Sequence, residues 1–544
     1  MKFLSFFSLS TTLLFLSSET SAFPDHKLAY RSDTHHLDHA TIQHLNKRGA
    51  AFNGWGTFNQ LIDHSNPNLG TFKQRYWYGT EFWNGPGSPI YLINIGEQNA
   101  EGFNVTWMSK DYLPGRFAQE TGAAVILMEH RYWGNSSPFQ LLTVENLTHL
   151  TLDNSLKDIT YMANNLLLPF DRTNGSHPSK SPWIYMGGSY PGAIANWLAV
   201  REPGTFWAYY SSSGVVQAVT DFWQYFVPIQ EATPANCTAD IHAVIDHVDS
   251  VLMKGTSKEK DGLKEYFGLF GLSDVDFAFA LAGVLFRWQN VQFYTSGQYD
   301  GTVPHYEFCD YVEGIWPNST TSGMIPGKNG VGLNRALEGY SKYYRDVYVP
   351  DNQCNRGLEC WQVTNATNPI YQYLGVQQDH RQWQWMLCNE PFEYWYGAPP
   401  RTENGGKSMV SRLINVDQFR KRCKLYFPEL ESGVAINKSA SDVNKLTGGW
   451  SMTNITRVMH TNGEWDPWRD ATLSSSFRDG GKFQGTKQVP VRVIKNGTHC
   501  SDLSRANWDA NPELEKLMDE VVLNMKVWVD EYYGKTGVYR RRRM

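Results

Sequence analysis

Four short apolar runs in the first half of the chain, at residues 89–95, 123–128, 183–186 and 207–211, lack the polar–apolar alternation of a half-solvated strand. Runs of this length, bounded by glycine and proline, are what strands buried on both faces look like. Helix-period stretches at 155–168 and 193–201 separate them. Strands alternating with helices demand a mainly parallel sheet covered on both sides, because each parallel crossover lays a helix on one face. From about 221 to 444 the pattern changes to helix-period segments such as 239–253 and 258–270, mixed with aromatic and cysteine-bearing loops. Strand-like runs return at 456–460 and 489–494, before a closing helix at 512–532. The expected architecture is α/β. One sheet domain, built from residues 49–220 and 445–533, is interrupted by a large, mainly helical insertion at 221–444, and a basic tail occupies 534–544.

The chain start reads as an address. Lys2 precedes an apolar run at 3–16, and Thr20-Ser21-Ala22 offers the small residues a signal peptidase reads, so residues 1–22 are expected to be a signal peptide. The polar, histidine-rich stretch 23–48 ends in Lys47-Arg48, a dibasic processing site, and is expected to be a propeptide. A secreted, extracellular protein follows from this reading. No later run of 18 apolar residues exists in the sequence to serve as a membrane anchor. A net charge of −5, with the one concentrated cationic cluster at Arg540–Arg543, excludes a nucleic-acid partner held by phosphate contacts. Ten Asn-x-Ser/Thr triplets, at Asn104, Asn135, Asn146, Asn174, Asn236, Asn318, Asn365, Asn437, Asn454 and Asn496, predict a glycosylated surface. Seven cysteines allow three disulfides; Cys354–Cys360 is the easiest pair to propose, and Cys500 is left as a thiol. Monomer and homodimer both stay open.

The segment 183–192 reads W-I-Y-M-G-G-S-Y-P-G and runs straight into a helical pattern. A serine among glycines at a sharp strand-to-helix turn holds its oxygen above the sheet, because small neighbours let strand and helix approach closely. Ser189 is therefore a candidate nucleophile. The second glycine of the usual G-x-S-x-G is replaced by Pro191, which removes no N–H that a first helical turn would pair and leaves the N–H of Tyr190 as an oxyanion donor. A serine hydroxyl needs a base, and the base an orienting carboxylate, in the chain order Ser, Asp or Glu, His. Two strand-to-turn segments supply them: V-M-H-T-N-G-E-W-D-P-W at 458–468 and V-R-V-I-K-N-G-T-H-C at 491–500. Asp466 and His499 are preferred; Glu464 and Asp470 compete for the carboxylate role and His460 for the base. Metal-binding patterns and phosphate loops are missing from the sequence, so neither metal nor cofactor is expected.

The segments F-N-Q-L-I-D-H (58–64), T-F-K-Q-R-Y-W (71–77), M-E-H-R-Y-W-G-N-S-S-P (128–138), G-G-S-Y-P-G, N-G-E-W-D-P-W and G-T-H-C-S-D-L together resemble the family of lysosomal Pro-X carboxypeptidase and dipeptidyl peptidase II. R-Q-W-Q-W-M-L-C-N-E-P-F (381–392) is most similar to the secreted fungal-type acid prolyl endopeptidases. The resemblance implies an α/β-hydrolase fold with a helical cap, and a serine peptidase cleaving proline-containing peptides or proteins after proline, at acid pH. In it Ser189 is the nucleophile, His499 the base and then acid, and Asp466 the group that orients the imidazole. The second oxyanion donor is expected at Gly96 or Glu97, after the strand at 89–95. Trp468 and next Trp385 are candidates for an aromatic proline pocket. Glu97, Glu129 and Glu390 are candidates to bind or orient substrate, with Glu129-His130-Arg131 equally readable as a structural polar network. Exopeptidase action within the same family, an esterase on the same fold, and a silent glycoprotein with an elbow spoiled by Pro191 are the alternatives.

Overall fold

The computed structural model describes residues 53–535 except 104, 296–302, 320–325, 353–356, 432, 434–437 and 453. The expected signal peptide, propeptide and terminal arginines lie outside these residues, as do Asn104, Asn437 and Cys354. The strands are β1 (Asn53–Leu61), β2 (Thr71–Gly79), β3 (Ile90–Asn94), β4 (Ala124–Met128), β5 (Trp183–Gly188), β6 (Ala208–Ser212), β7 (Val219–Asp221), β8 (Glu393–Trp395), β9 (Val458–Gly463) and β10 (Val491–Ile494). Eight of them form one sheet in the order β1-β2-β4-β3-β5-β6-β9-β10, while β7 and β8 pair separately. From β4 to β10 all neighbours are parallel, and β2 joins that block antiparallel.

The helices that matter for the site are α1 (Leu113–Thr121), α2 (Leu152–Asn165), α3 (Tyr190–Arg201), α4 (Ala235–Lys254), α5 (Ser257–Tyr266), α6 (Asp274–Phe286), α7 (His380–Asn389), α8 (Val416–Tyr426) and α9 (Pro512–Tyr532). The unalternating runs are explained by two cores. Trp183 and Tyr185 of β5 pack with α2 and α3 on one face, and Ile184 and Met186 pack with α1 and α9 on the other. All five residues of β4 are buried. Each large apolar side chain among them contributes roughly 1.5–3 kcal/mol, so a polar residue on either face is costly. The sheet order, the crossover helices and the helical segment between β6 and β9 make this an α/β hydrolase with a helical insertion. Two disulfides, Cys237–Cys309 and Cys388–Cys423, staple the insertion; Cys360 is also disulfide-bonded, and Cys500 carries a thiol.

Two differences from the sequence expectations have physical causes. The antiparallel pair β1–β2 is not among the strands expected from the sequence, because the glycines of β1 weaken its strand signal. Here Gly54 lies opposite Tyr78 and Gly56 opposite Tyr76, and a Cβ on them would come 2.3 and 2.7 Å from the tyrosine hydroxyls. The rings cover the glycines, so the missing side chains are part of the pairing. The helix expected at 258–270 ends at Tyr266: a capping box of Thr256 and Glu259 starts it, and Gly268 at φ +74° turns the chain out.

Candidate active site

Ser189 stands directly after β5 with φ +61° and ψ −123°, a conformation an L-residue holds only when its surroundings enforce it. The enforcement is close packing. A Cβ on Gly187 would lie 2.4 Å from Pro191 Cβ, and one on Gly192 would lie 2.6 Å from the carbonyl oxygen of Ser212. That carbonyl accepts the Ser189 N–H at 2.9 Å. Pro191 occupies the first turn of α3, and its ring lies where a Cβ on Gly96 would be, 2.7 Å from Pro191 Cγ. The proline is accommodated by a glycine on the facing loop.

Asp466 follows β9 and His499 follows β10, so both lie, like Ser189, beyond the carboxyl ends of parallel strands. His499 Nδ1 is 2.9 and 3.0 Å from the two Asp466 carboxylate oxygens, and both residues are buried. Burial alone pushes the imidazole pKa down, but the adjoining Asp466 carboxylate outweighs it and holds His499 well above its ordinary value. Asp466 also accepts the N–H of Trp468 at 2.9 Å, which fixes the turn between them.

A narrow cavity is lined by Glu97, Ser189, Tyr190, Val215, Gln289, Trp383, Tyr394 and Trp468. The Trp468 ring stacks on Phe222 with centroids 5.5 Å apart, meets Tyr394 edge-on at 5.4 Å, and lies 6.4 Å from the His499 ring. Its indole N–H donates to Gln289 Oε1 at 2.8 Å, which ties the wall to the insertion.

The family model described as serine carboxypeptidase S28 matches residues 60–521. The chain belongs to the S28 serine carboxypeptidase family. It is similar to serine proteases vicPa and vicPb of Bipolaris victoriae, at 37% and 36% identity, covering 90% of this chain in both cases and 91% and 92% of theirs. It is also similar, at 28% identity over 81% of this chain and 60% of the other, to a probable extracellular serine carboxypeptidase of Arthroderma benhamiae. Among solved structures, proline iminopeptidase of Mycobacterium smegmatis is similar at 12% identity, 88% and 100% coverage and a TM-score of 0.32.

In this S28 peptidase the remaining sequence candidates separate. Trp385 is a correction: it is buried against Phe427, its N–H donates to Leu150 O at 3.1 Å, and it does not line the cavity. Two residues along an α-helix lie on nearly opposite sides, so Trp383 of α7 takes the cavity position instead. Glu390 is a second correction. Its carboxylate accepts the Leu152 N–H at the start of α2 and pairs with Lys438 at 2.8 Å, away from the cavity. Gly96 is a third: its N–H donates to Asn94 Oδ1 at 2.7 Å and is spent within its own turn. Glu129 holds Arg75 through two bonds, at 2.7 and 2.8 Å, and accepts the Ala100 N–H at 3.0 Å. Arg131 pairs with Asp158 at 2.5 Å, and His130, driven by burial to a pKa of about 4, lies 3.1 Å from the Tyr190 hydroxyl. This is the structural polar network.

Of the competing acids and bases, Glu464 accepts the Asn496 N–H and Asp470 pairs with Arg469. His460 is fully buried inside β9, its pKa lowered by burial to about 3. Val215, Gln289, Trp383 and Tyr394 were missed as cavity residues; only Trp383 carried a sequence signal, as part of a family-like segment. Of the sequons, Asn135, Asn174, Asn318, Asn454 and Asn496 are exposed, and Asn146, Asn236 and Asn365 are partly so. No described helix is long and apolar enough to cross a membrane, and the described residues hold no cluster of potential metal ligands.

Proposed function

We propose that this S28 serine peptidase is secreted and hydrolyses peptide bonds on the carboxyl side of proline, with Ser189 as nucleophile, His499 as base and Asp466 as orienting carboxylate. The observation that carries the reading is the bond between His499 and Asp466 beside an aromatic cavity that contains Ser189 and is walled by Trp468. In the first step Ser189 Oγ bonds to the scissile carbonyl carbon while His499 Nε2 takes its proton, and the carbonyl π electrons move onto oxygen. The N–H groups of Tyr190, at the unpaired first position of α3, and of Glu97 receive that oxyanion. Collapse breaks the C–N bond, and the imidazolium gives its proton to the leaving amine. Water then repeats the sequence and releases the acid. The flat walls of Trp468, Trp383 and Tyr394 suit a pyrrolidine ring, because they bury it at little entropic cost.

The reading requires Ser189 Oγ to come within hydrogen-bonding distance of His499 Nε2. Such bonds often tighten only when substrate arrives. The raised pKa of His499 supports an activity that climbs with pH through and beyond 6.5, since the base must be neutral; it lends no support to an acid preference. The test is cleavage of a proline peptide blocked at both ends, against its alanine counterpart. Cleavage after proline, lost by at least about 10³-fold in Ser189→Ala, is expected. Equal cleavage of the alanine peptide would remove the specificity, and an active Ser189→Ala variant would remove the mechanism.

A further inference from the structure

Asp502 stands three residues beyond His499 and is completely buried, yet the mechanism above does not use it. One carboxylate oxygen accepts the Ser212 hydroxyl and the other the Tyr210 phenol, both at 2.6 Å. The same phenol lies 2.7 Å from Thr461 Oγ1 on β9. Ser212 is the last residue of β6, the strand between the one that leads to Ser189 and the one that leads to Asp466. Its carbonyl is the acceptor for the Ser189 N–H, so one residue holds the nucleophile through its backbone and Asp502 through its side chain. The next residue repeats the pattern: Ser213 donates its N–H to Thr461 O at 2.7 Å, and its hydroxyl accepts the Cys500 N–H at 3.0 Å.

We propose that Asp502 is a positioning residue for catalysis, the carboxylate that sets the distance between the imidazole of His499 and the hydroxyl of Ser189 by anchoring the histidine loop to the end of β6. This rests on the triad reading given above. The loop is gripped from outside through its backbone: Gln292 donates to His499 O at 3.0 Å, Asn507 to Ser501 O at 3.0 Å, and the Trp508 indole to Asp502 O at 2.9 Å. Those bonds come from the insertion and from the helical segment after the loop, and they fix the loop against the periphery. Asp502 supplies a side-chain link inward, to the residue that fixes Ser189, and the Cys500 thiol, 4.0 Å from the Ser212 carbonyl oxygen, is a weaker second one. A buried carboxylate without partners is strongly disfavoured, so it holds its two hydroxyl donors firmly.

The link also titrates. Burial pushes the Asp502 carboxyl up to about 6, against the opposing pull of its two hydroxyl donors. The titratable groups that face it are Tyr210 on β6, and His499 and Cys500 on its own loop, with Asp466 behind His499. Below that pH the neutral acid must donate one hydrogen bond, so Ser212 or Tyr210 has to turn from donor to acceptor, and the loop anchor changes.

The test follows the rate at which a fluorophosphonate probe labels Ser189 in the full-length secreted protein, across pH, for wild type, Asp502→Asn and Ser212→Ala. Both variants are expected to label about 10- to 100-fold more slowly, as misplacement by a fraction of an ångström does to a nucleophile–base pair. On a proline peptide they lower kcat while KM moves less than about 3-fold, because neither residue lines the cavity. The wild-type rate shows an ionisation near pH 6 that Asp502→Asn lacks. Labelling of folded Asp502→Asn at the wild-type rate with the wild-type pH profile overturns the inference. If that variant does not fold, Ser212→Ala, which removes the same bond from the other side, decides in the same way. Failure of wild type to label at all refutes the triad reading itself, a different outcome from equal labelling of wild type and variant.

Discussion

Gly192→Ala is a one-carbon probe of how Ser189 is held. The new Cβ would lie 2.6 Å from the Ser212 carbonyl oxygen and 3.1 Å from Gly214 Cα, both backbone atoms that no rotamer change can move. Carbon and carbonyl oxygen make ordinary contact at roughly 3.3 Å or more, so the start of α3 and the end of β6 must separate by about 0.7 Å. Overpacking of this kind costs about 1–3 kcal/mol, read as a lowered urea midpoint with unchanged slope. The functional loss is the sharper number. The displaced carbonyl is the acceptor for the Ser189 N–H, so Ser189 moves with it, and on the proposed mechanism a shift of that size lowers fluorophosphonate labelling at least tenfold. Gly262→Ala, in α5 with open space around it, is the control expected to leave labelling unchanged and to raise stability by about 0.5–1 kcal/mol, as for any exposed helix-interior glycine. A Gly192→Ala protein with wild-type stability and labelling would show that the turn is not held by contact with Ser212.

Pro191→Ala keeps labelling within about 3-fold of wild type, because Pro191 packs on Gly96 and its missing N–H falls in an unpaired helical turn; the variant loses about 0.4–1 kcal/mol as the unfolded chain gains freedom. A large gain in labelling would mean that the proline obstructs the elbow. His460 makes stability pH-dependent: its folded pKa is lowered to about 3, so the unfolded chain binds the extra proton as pH falls below 6.5. The stability it contributes is present above 6.5 and declines by about 1.4 kcal/mol per pH unit below that. His460→Phe flattens the urea-measured dependence between pH 6.5 and 5 by about one proton, and an unchanged slope refutes the buried neutral imidazole.

The layers of the fold were legible in the amino-acid order because strands buried on both faces announce themselves as unbroken apolar runs, as β4 and β5 do. The serine between small residues was legible for the same local reason: Gly187 and Gly192 stand where no Cβ fits. The preference for Asp466 over Glu464 and Asp470 rests in the sequence on Pro467, which fixes the loop but does not say what the carboxylate meets. All three lie within seven residues on one turn. Two of their partners, His499 for Asp466 and the Asn496 N–H for Glu464, come from a loop that meets this turn only when β10 pairs with β9, whereas Asp470 pairs with its chain neighbour Arg469. The choice between Trp383 and Trp385 was equally invisible until the helix had a direction, since both tryptophans read alike and only rotation about the helix axis tells cavity from core.

Sequence alone therefore determined what lies near in the chain: buried strands, the elbow and the order Ser, Asp, His. Tertiary structure decided which carboxylate meets the imidazole, which aromatic rings line the cavity, and that Ser212 joins Asp502 to the Ser189 turn. The physical reason is range. Steric exclusion and hydrophobic period act over a few residues, whereas a hydrogen bond between residues 212 and 502 exists only because parallel strands bring their carboxyl ends to one edge of the sheet.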